Sequence, residues 1–234
     1  MATEVLLGGA GALAARSPRE RALAGLGALM SEAPWTFTRA DLERLRAVGL
    51  SDEGIVQAVT IGGLFNYVTR VADGIGLEFD YESSLPRLQV DVSVEPLPRP
   101  AREDWPTLEP SPALSLQLRP ASEAAFARWR AYQFERDAPL SRRDRAVIGR
   151  AAAFNVCDAA GVEAFADAAP TSAHEGALAA YATKLTLAPW QMTEADLGPL
   201  RREGLDDAGV LDVISVVALQ NTLSRIGLAL GAPR

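Results

Sequence analysis

Reactive side chains are scarce in this 234-residue chain, which has one cysteine (Cys157), one histidine (His174) and one lysine (Lys184) against 22 arginines. A single cysteine excludes an intramolecular disulfide and any cysteine-rich metal site. A single histidine leaves a metal without a second imidazole ligand and argues against a Ser-His-Asp hydrolase. A basic excess is also missing. The formal net charge is −7, and nucleic-acid binding needs a basic face, so no nucleic-acid partner is expected. No run approaches the length of a membrane span. Val5–Ala15 is apolar enough to imitate a signal-peptide core, but Glu4 precedes it and the basic n-region is absent. These absences lead us to expect a cytoplasmic protein with no cofactor, no metal and no membrane partner.

What the chain does have is a repeat. Glu20–Gly76 returns without a gap as Glu175–Gly231, offset by 155 positions, with 21 of 57 pairs identical. The segment A-P-W-T-F-T-R-A-D-L-E-R-L-R-A-V-G-L-S-D becomes A-P-W-Q-M-T-E-A-D-L-G-P-L-R-R-E-G-L-D-D, and L-F-N-Y-V-T-R is answered by L-Q-N-T-L-S-R. A repeat of this length means one supersecondary unit used twice. With 48% hydrophobic residues, the chain has enough apolar surface to build a sizeable core.

Both copies read as helical. Thr38 with Asp41, and Thr193 with Asp196, place a hydroxyl at a helix start and a carboxylate three residues on, the pattern of a capping box. Gly49 and Gly204 sit where a left-handed C-terminal residue is wanted. Ser51 and Asp206 can cap the helices that follow, running to Gly76 and Gly231, both too apolar around their girth for a surface location. Shorter helices are expected over Pro18–Ser31 and Ala173–Thr186. The second copy is preceded by two more, Ser122–Arg136 and Ser141 to about Ala168. At the 155-residue offset Cys157 falls opposite Ala2, so the first copy lacks its opening helices and must borrow packing. Asp80–Pro120, rich in proline, reads as an extended connector, although Leu88, Val90, Val92 and Val94 alternate as a strand would. The expected organisation is therefore a truncated unit (1–79), a linker (80–120) and a complete unit (121–234).

The doubled string A-P-W, T-x-x-D-L-x-x-L-R-x-x-G-L-x-D and L-x-N-x-x-x-R resembles the AhpD-like family of carboxymuconolactone decarboxylases and alkylhydroperoxidase D proteins. The match covers roughly 17–77 and 122–231. The resemblance implies an all-α fold that assembles into oligomers. In the peroxidase branch it implies a C-x-x-C pair at a helix, a histidine three residues beyond and an acidic relay. One thiolate attacks peroxide to give a sulfenic acid, and the second resolves it as a disulfide. Here the corresponding stretch reads F-N-V-C-D-A-A-G-V-E. With Cys157 in the first cysteine's place, Ala160 occupies the resolving position and Glu163 the histidine position. The first copy has no cysteine, so the two-thiol cycle cannot run within one chain. No histidine lies near the helix that decarboxylase activity would use.

Candidate residues each have a functional and a structural reading. Cys157, with Glu163 as base, is the candidate catalytic pair of a one-cysteine peroxidase. Against this, Asp158 and Glu163 raise a thiol's pKa, and lone cysteines are usually buried and inert, which is the reading we favour. His174 reads as a first-turn or surface histidine. Gly9–Ala14 matches G-x-G-x-x-A but lacks the alternating strands of a dinucleotide fold, so it is rejected. Asn66 with Arg70, and Asn221 with Arg225, are able to grip an anion. Their recurrence in the copy without cysteine favours a structural role. Trp35 and Trp190 are expected at the same corner of each copy. Truncation predicts a homodimer or larger assembly. Three functions compete: a one-cysteine hydroperoxide reductase, a redox-silent relative that binds or transforms a small organic acid in a helical pocket, and a subunit that partners an intact C-x-x-C family member.

Overall fold

The computed structural model describes residues 16–77, 93–109 and 114–231. They form nine α-helices and no strand, so the fold is all-α. The apolar stretch Val5–Ala15, the Gly9–Ala14 motif and most of the alternating Leu88–Val94 run lie outside the described residues.

Helices α1 (Pro18–Glu32), α2 (Arg39–Ala47) and α3 (Asp52–Ile75) come from the first copy. After the connector come α4 (Pro120–Phe134), α5 (Arg142–Asn155) and α6 (Ala159–Ala164). Then follow α7 (Ala173–Leu187), α8 (Leu197–Arg202) and α9 (Asp207–Leu230). The 3₁₀ turns Pro34–Thr36 and Pro189–Gln191, which carry Trp35 and Trp190, and the pair α3 and α9 keep the 155-residue offset at both ends. Both expected capping boxes form, Thr38 with Asp41 and Thr193 with Asp196. Ser51 and Asp206 cap α3 and α9 through the amides of Gly54 and Gly209.

One expected helix is two. The run from Ser141 to about Ala168 breaks at Val156–Asp158, between α5 and α6. The break has the geometry that ends α2 and α8. Leu50 N–H donates to Leu45 O, Leu205 to Leu200 O, and Asp158 to Ala153 O, each closing the six-residue loop of a Schellman motif. Gly49 and Gly204 hold the left-handed position of that motif, at φ 85° and 90°. In the third motif the position belongs to Cys157, at φ 60°. A side chain there costs roughly 1–2 kcal/mol.

Two apolar clusters make the core. The first contains Leu26, Met30, Leu42, Leu45, Ile55, Val56 and Val59, completed by Leu114, Phe126, Ile226, Ala229 and Leu230. The first copy therefore borrows its packing from α4 and α9. The second cluster gathers α5, α7 and α9 through Ile148, Leu178, Leu185, Val213, Ile214 and Val217. Between them α3 and α9 cross closely. A Cβ on Gly63 would stand 2.7 Å from Ile226 Cγ1, and one on Gly74 2.9 Å from Ile214 Cγ2. The backbone carbonyls so approached accept hydrogen bonds from Thr222 (3.0 Å) and Tyr181 (3.2 Å).

The expectation that no run reaches membrane-span length needs correcting. Helix α9 is long and apolar enough by length and composition, and 83% of its most apolar window is buried within the chain. Its apolarity is accounted for by its place at the centre of the bundle.

Candidate functional site

Cys157 is fully buried, and burial pushes its thiol up to about 11, with the nearby Arg99 guanidinium pulling the other way. The sequence expectation of an inert thiol gave two grounds, acidic neighbours and burial; of these, burial is the cause found, and neither Asp158 nor Glu163 contributes. Glu163 is exposed on α6. Among the described residues no hydrogen bond joins it to Cys157. Ala160, at the resolving position, is exposed in the first turn of α6. Asp158 is a structural residue that caps α6 through Gly161 N–H (2.9 Å) and accepts a 2.6 Å hydrogen bond from the Ser224 hydroxyl on α9.

What does meet Cys157 comes from the connector. Arg99, Pro100, Ala101, Arg102 and Trp105 fold over the end of α5, and with Phe154 and Cys157 they line a cleft of about 330 Å³. Arg99 Nη1 donates to Asn155 Oδ1 at 2.6 Å. Asn155 is itself fixed by Ala151 O (2.8 Å) and Thr183 Oγ1 (2.9 Å). The Arg99 guanidinium carbon lies 5.7 Å from the Phe154 ring centre, and that of Arg102 lies 5.6 Å from the Trp105 ring centre. The two rings meet edge to face at 5.2 Å. Two exposed cations and two aromatic walls over a thiol floor suit a flat organic anion. Sequence reasoning missed Arg99, Arg102 and Trp105. They lie more than fifty residues before Cys157 in a segment without periodicity, so nothing local points to them.

A larger cleft of about 530 Å³ lies between α1 and α3, lined among others by Arg19, Leu23, Gln57 and Ile61. At the repeat offset these residues answer to His174, Leu178, Asp212 and Val216, the surface on which α5 packs in the second copy. There His174 Nε2 stands 3.2 Å from Asp144 Oδ1, and Asp212 accepts from Arg145. His174 is thus a half-exposed residue in the first turn of α7, as expected.

Arg145 was not singled out from the sequence. Fully buried, it donates to the carbonyls of Gln133 (2.8 Å), Arg136 (3.0 Å), Ala138 (3.1 Å) and Leu140 (3.2 Å), and to the Asp212 carboxylate. Asp212 also accepts from Arg136 Nη2 at 2.8 Å. Among the described residues no cluster of three or more potential metal ligands occurs.

No family model matches the chain, and no curated protein matches it.

Proposed function

We propose that this chain is a divergent AhpD-like protein, built from two related helical units. It has left two-thiol peroxide chemistry and binds a small organic acid in the cleft over Cys157. The doubled A-P-W and N-x-x-x-R strings support the family reading, and the cleft supports the binding reading. The observation that carries it is the pairing of Arg99 and Arg102 with Trp105 and Phe154 above a thiol whose pKa is pushed to about 11. At pH 7 such a thiol is ionised in roughly one molecule in ten thousand, so it is a poor nucleophile toward peroxide.

The second reading, a one-cysteine hydroperoxide reductase, is favoured by one observation, the guanidinium of Arg99 beside Cys157. Consumption of an organic hydroperoxide with excess dithiol separates the two. We expect equal, negligible rates for the wild type and Cys157→Ser; turnover that vanishes in the variant overturns the binding reading. In the same preparations an aromatic carboxylate should raise the thermal midpoint of the wild type and of Cys157→Ser. That rise should be lost in Arg99→Met and Arg102→Met.

The assembly we infer is a homodimer. Ile61, Leu64, Phe65, Val68, Ile75 and Leu77 are exposed in one stripe on and just beyond α3, the side that is covered in α9. An apolar stripe of this extent marks an interaction surface, and a two-fold axis would lay one stripe on its partner's. A monomer by light scattering at micromolar concentration would refute the assignment.

A further inference from the structure

Three buried arginines invite comparison. Arg145 has a carboxylate and four carbonyls. Arg70 on α3 and Arg225 on α9 are 3% and 2% exposed, yet among the described residues neither has a carboxylate within ion-pair distance. Arg70 donates through Nη1 to Asn66 Oδ1 (2.7 Å) and Asn66 O (3.2 Å) and through Nη2 to Thr186 O (3.1 Å), while its Nε–H is buried without a partner. Among the described residues Arg225 makes a single hydrogen bond, from Nη1 to Asn221 Oδ1. Its Nε–H is also buried and unmatched, and among the described residues Nη2 makes no hydrogen bond either, which leaves the Nε/Nη2 edge open. That edge is the one on which a guanidinium takes a carboxylate through two parallel hydrogen bonds.

The surroundings make the lack of a counter-charge costly. Burial pushes Arg70 down to about 10, only partly offset by Asp73 one turn on. Arg225 is held well below its ordinary range by burial and by the charge of Arg70. Asp73 itself is raised by burial and forms no ion pair with either guanidinium. The remaining neighbours are neutral: Asn66 and Asn221 bond to the carbonyls of Gly62 and Val217 and to the hydroxyls of Ser31 and Thr186, and Tyr181 donates to Gly74 O. Two like charges out of water with no anion between them is an arrangement proteins rarely keep, since an unpaired buried charge is strongly destabilising.

We propose that the α3–α9 crossing is a buried anion site in which Arg225, seconded by Arg70, holds a small carboxylate-type oxyanion on its free Nε/Nη2 edge. This site is separate from the Cys157 cleft, and its ligand is a small oxyanion with no aromatic requirement.

The test is thermal unfolding of the full chain in sodium acetate against sodium chloride at matched ionic strength. At a hundredfold excess of acetate over its Kd the wild-type midpoint should rise by roughly 5–10 °C. The rise should disappear in Arg225→Met, shrink in Arg70→Met and persist in Arg99→Met, which separates this site from the cleft. In chloride alone Arg225→Met should be at least as stable as the wild type. No acetate-specific rise, or an equal rise in both crossing variants, overturns the proposal. Should Arg225→Met fail to fold, the arginine Nε–H NMR signals of the wild type decide. At least one slowly exchanging, buried signal must move with acetate, and immobility of all of them refutes the site.

Discussion

Helices α3 and α9 have the same length, the same bounds at the repeat offset and the same Asn-Arg pair, yet they live in different surroundings. In α9, Val216, Leu219 and Gln220 are buried. Their counterparts in α3 are Ile61, Leu64 and Phe65, the last 66% exposed. The difference lies in what packs on that face. Helix α5 packs on it in the second copy, while among the described residues nothing covers the corresponding stripe on α3. Burial is therefore a property of the neighbour set more than of the helix. The same helical pattern is a core face in one setting and an exposed apolar face in the other.

The polar counterpart of α5's docking separates the copies most. Asp212 neutralises the fully buried Arg145; its repeat partner, Gln57, is exposed beside Arg119 (3.2 Å). Asp212→Ala leaves a guanidinium buried without its carboxylate and should cost about 3–5 kcal/mol, whereas Gln57→Ala should stay within about 0.5 kcal/mol. Chemical denaturation of the two variants measures both. Equal effects would break the claim that α5 distinguishes the copies.

Leucines at the next equivalent pair sharpen the same contrast without charge. Leu219 is fully buried and Leu64 is 38% exposed. Leu219→Ala should lose about 2–5 kcal/mol through burial and cavity terms. Leu64→Ala should lose under about 1 kcal/mol in the monomer and weaken the proposed dimer, read by light scattering.

How much of this was legible in the sequence follows from the range of the forces involved. Capping boxes, C-terminal glycines and the girth of α3 and α9 are local, so Thr38, Asp41, Gly49, Thr193, Asp196 and Gly204 announced their elements within a few residues. The α5–α6 break was not legible, because its left-handed residue is Cys157 and not a glycine, and propensity alone carries the helix through. The cleft was hidden for a different reason. Arg99 and Trp105 reach Cys157 only through the path of the connector, a tertiary fact with no period to reveal it. Glu163 was placed beside the thiol by motif spacing, and that spacing presumed the unbroken helix that Cys157 interrupts.

The repeated glutamates give a pH-resolved version of the comparison. Glu20 and Glu175 both stand three residues into their helices and accept from the capping serine's neighbourhood, but Glu175 also holds Arg143 (2.8 Å) and Thr171 N–H (2.6 Å). Those partners, Arg143 first, hold its carboxyl down to about 2, while Glu20 is lowered by hydrogen bonds from Ser17. A folded pKa below the unfolded one contributes stability that is complete above the unfolded value near 4.5 and fades as pH falls toward about 2. Glu175→Gln should therefore flatten the acid limb of the stability profile between those limits, and Glu20→Gln should flatten it less. A profile unchanged by Glu175→Gln would remove the ion pair from the account of acid unfolding.

The smallest effect expected tests two of the Schellman turns against each other. Gly204 and Cys157 occupy the same left-handed position, one as glycine and one as a residue that pays the Cβ strain already. Gly204→Ala should therefore cost about 1 kcal/mol, since it introduces that strain. Cys157→Ala keeps the strained backbone and loses only a sulfur, so it should cost less than a large core truncation, on the order of 1 kcal/mol. Cys157→Gly relieves the strain at the cost of the β-carbon as well as the sulfur, and should fall closer to wild type than Cys157→Ala in denaturant midpoint. If Cys157→Gly is instead the less stable of the two, the turn at the end of α5 is held by the thiol's contacts in the cleft and not by its backbone. The cysteine would then be as much a part of that wall as Phe154.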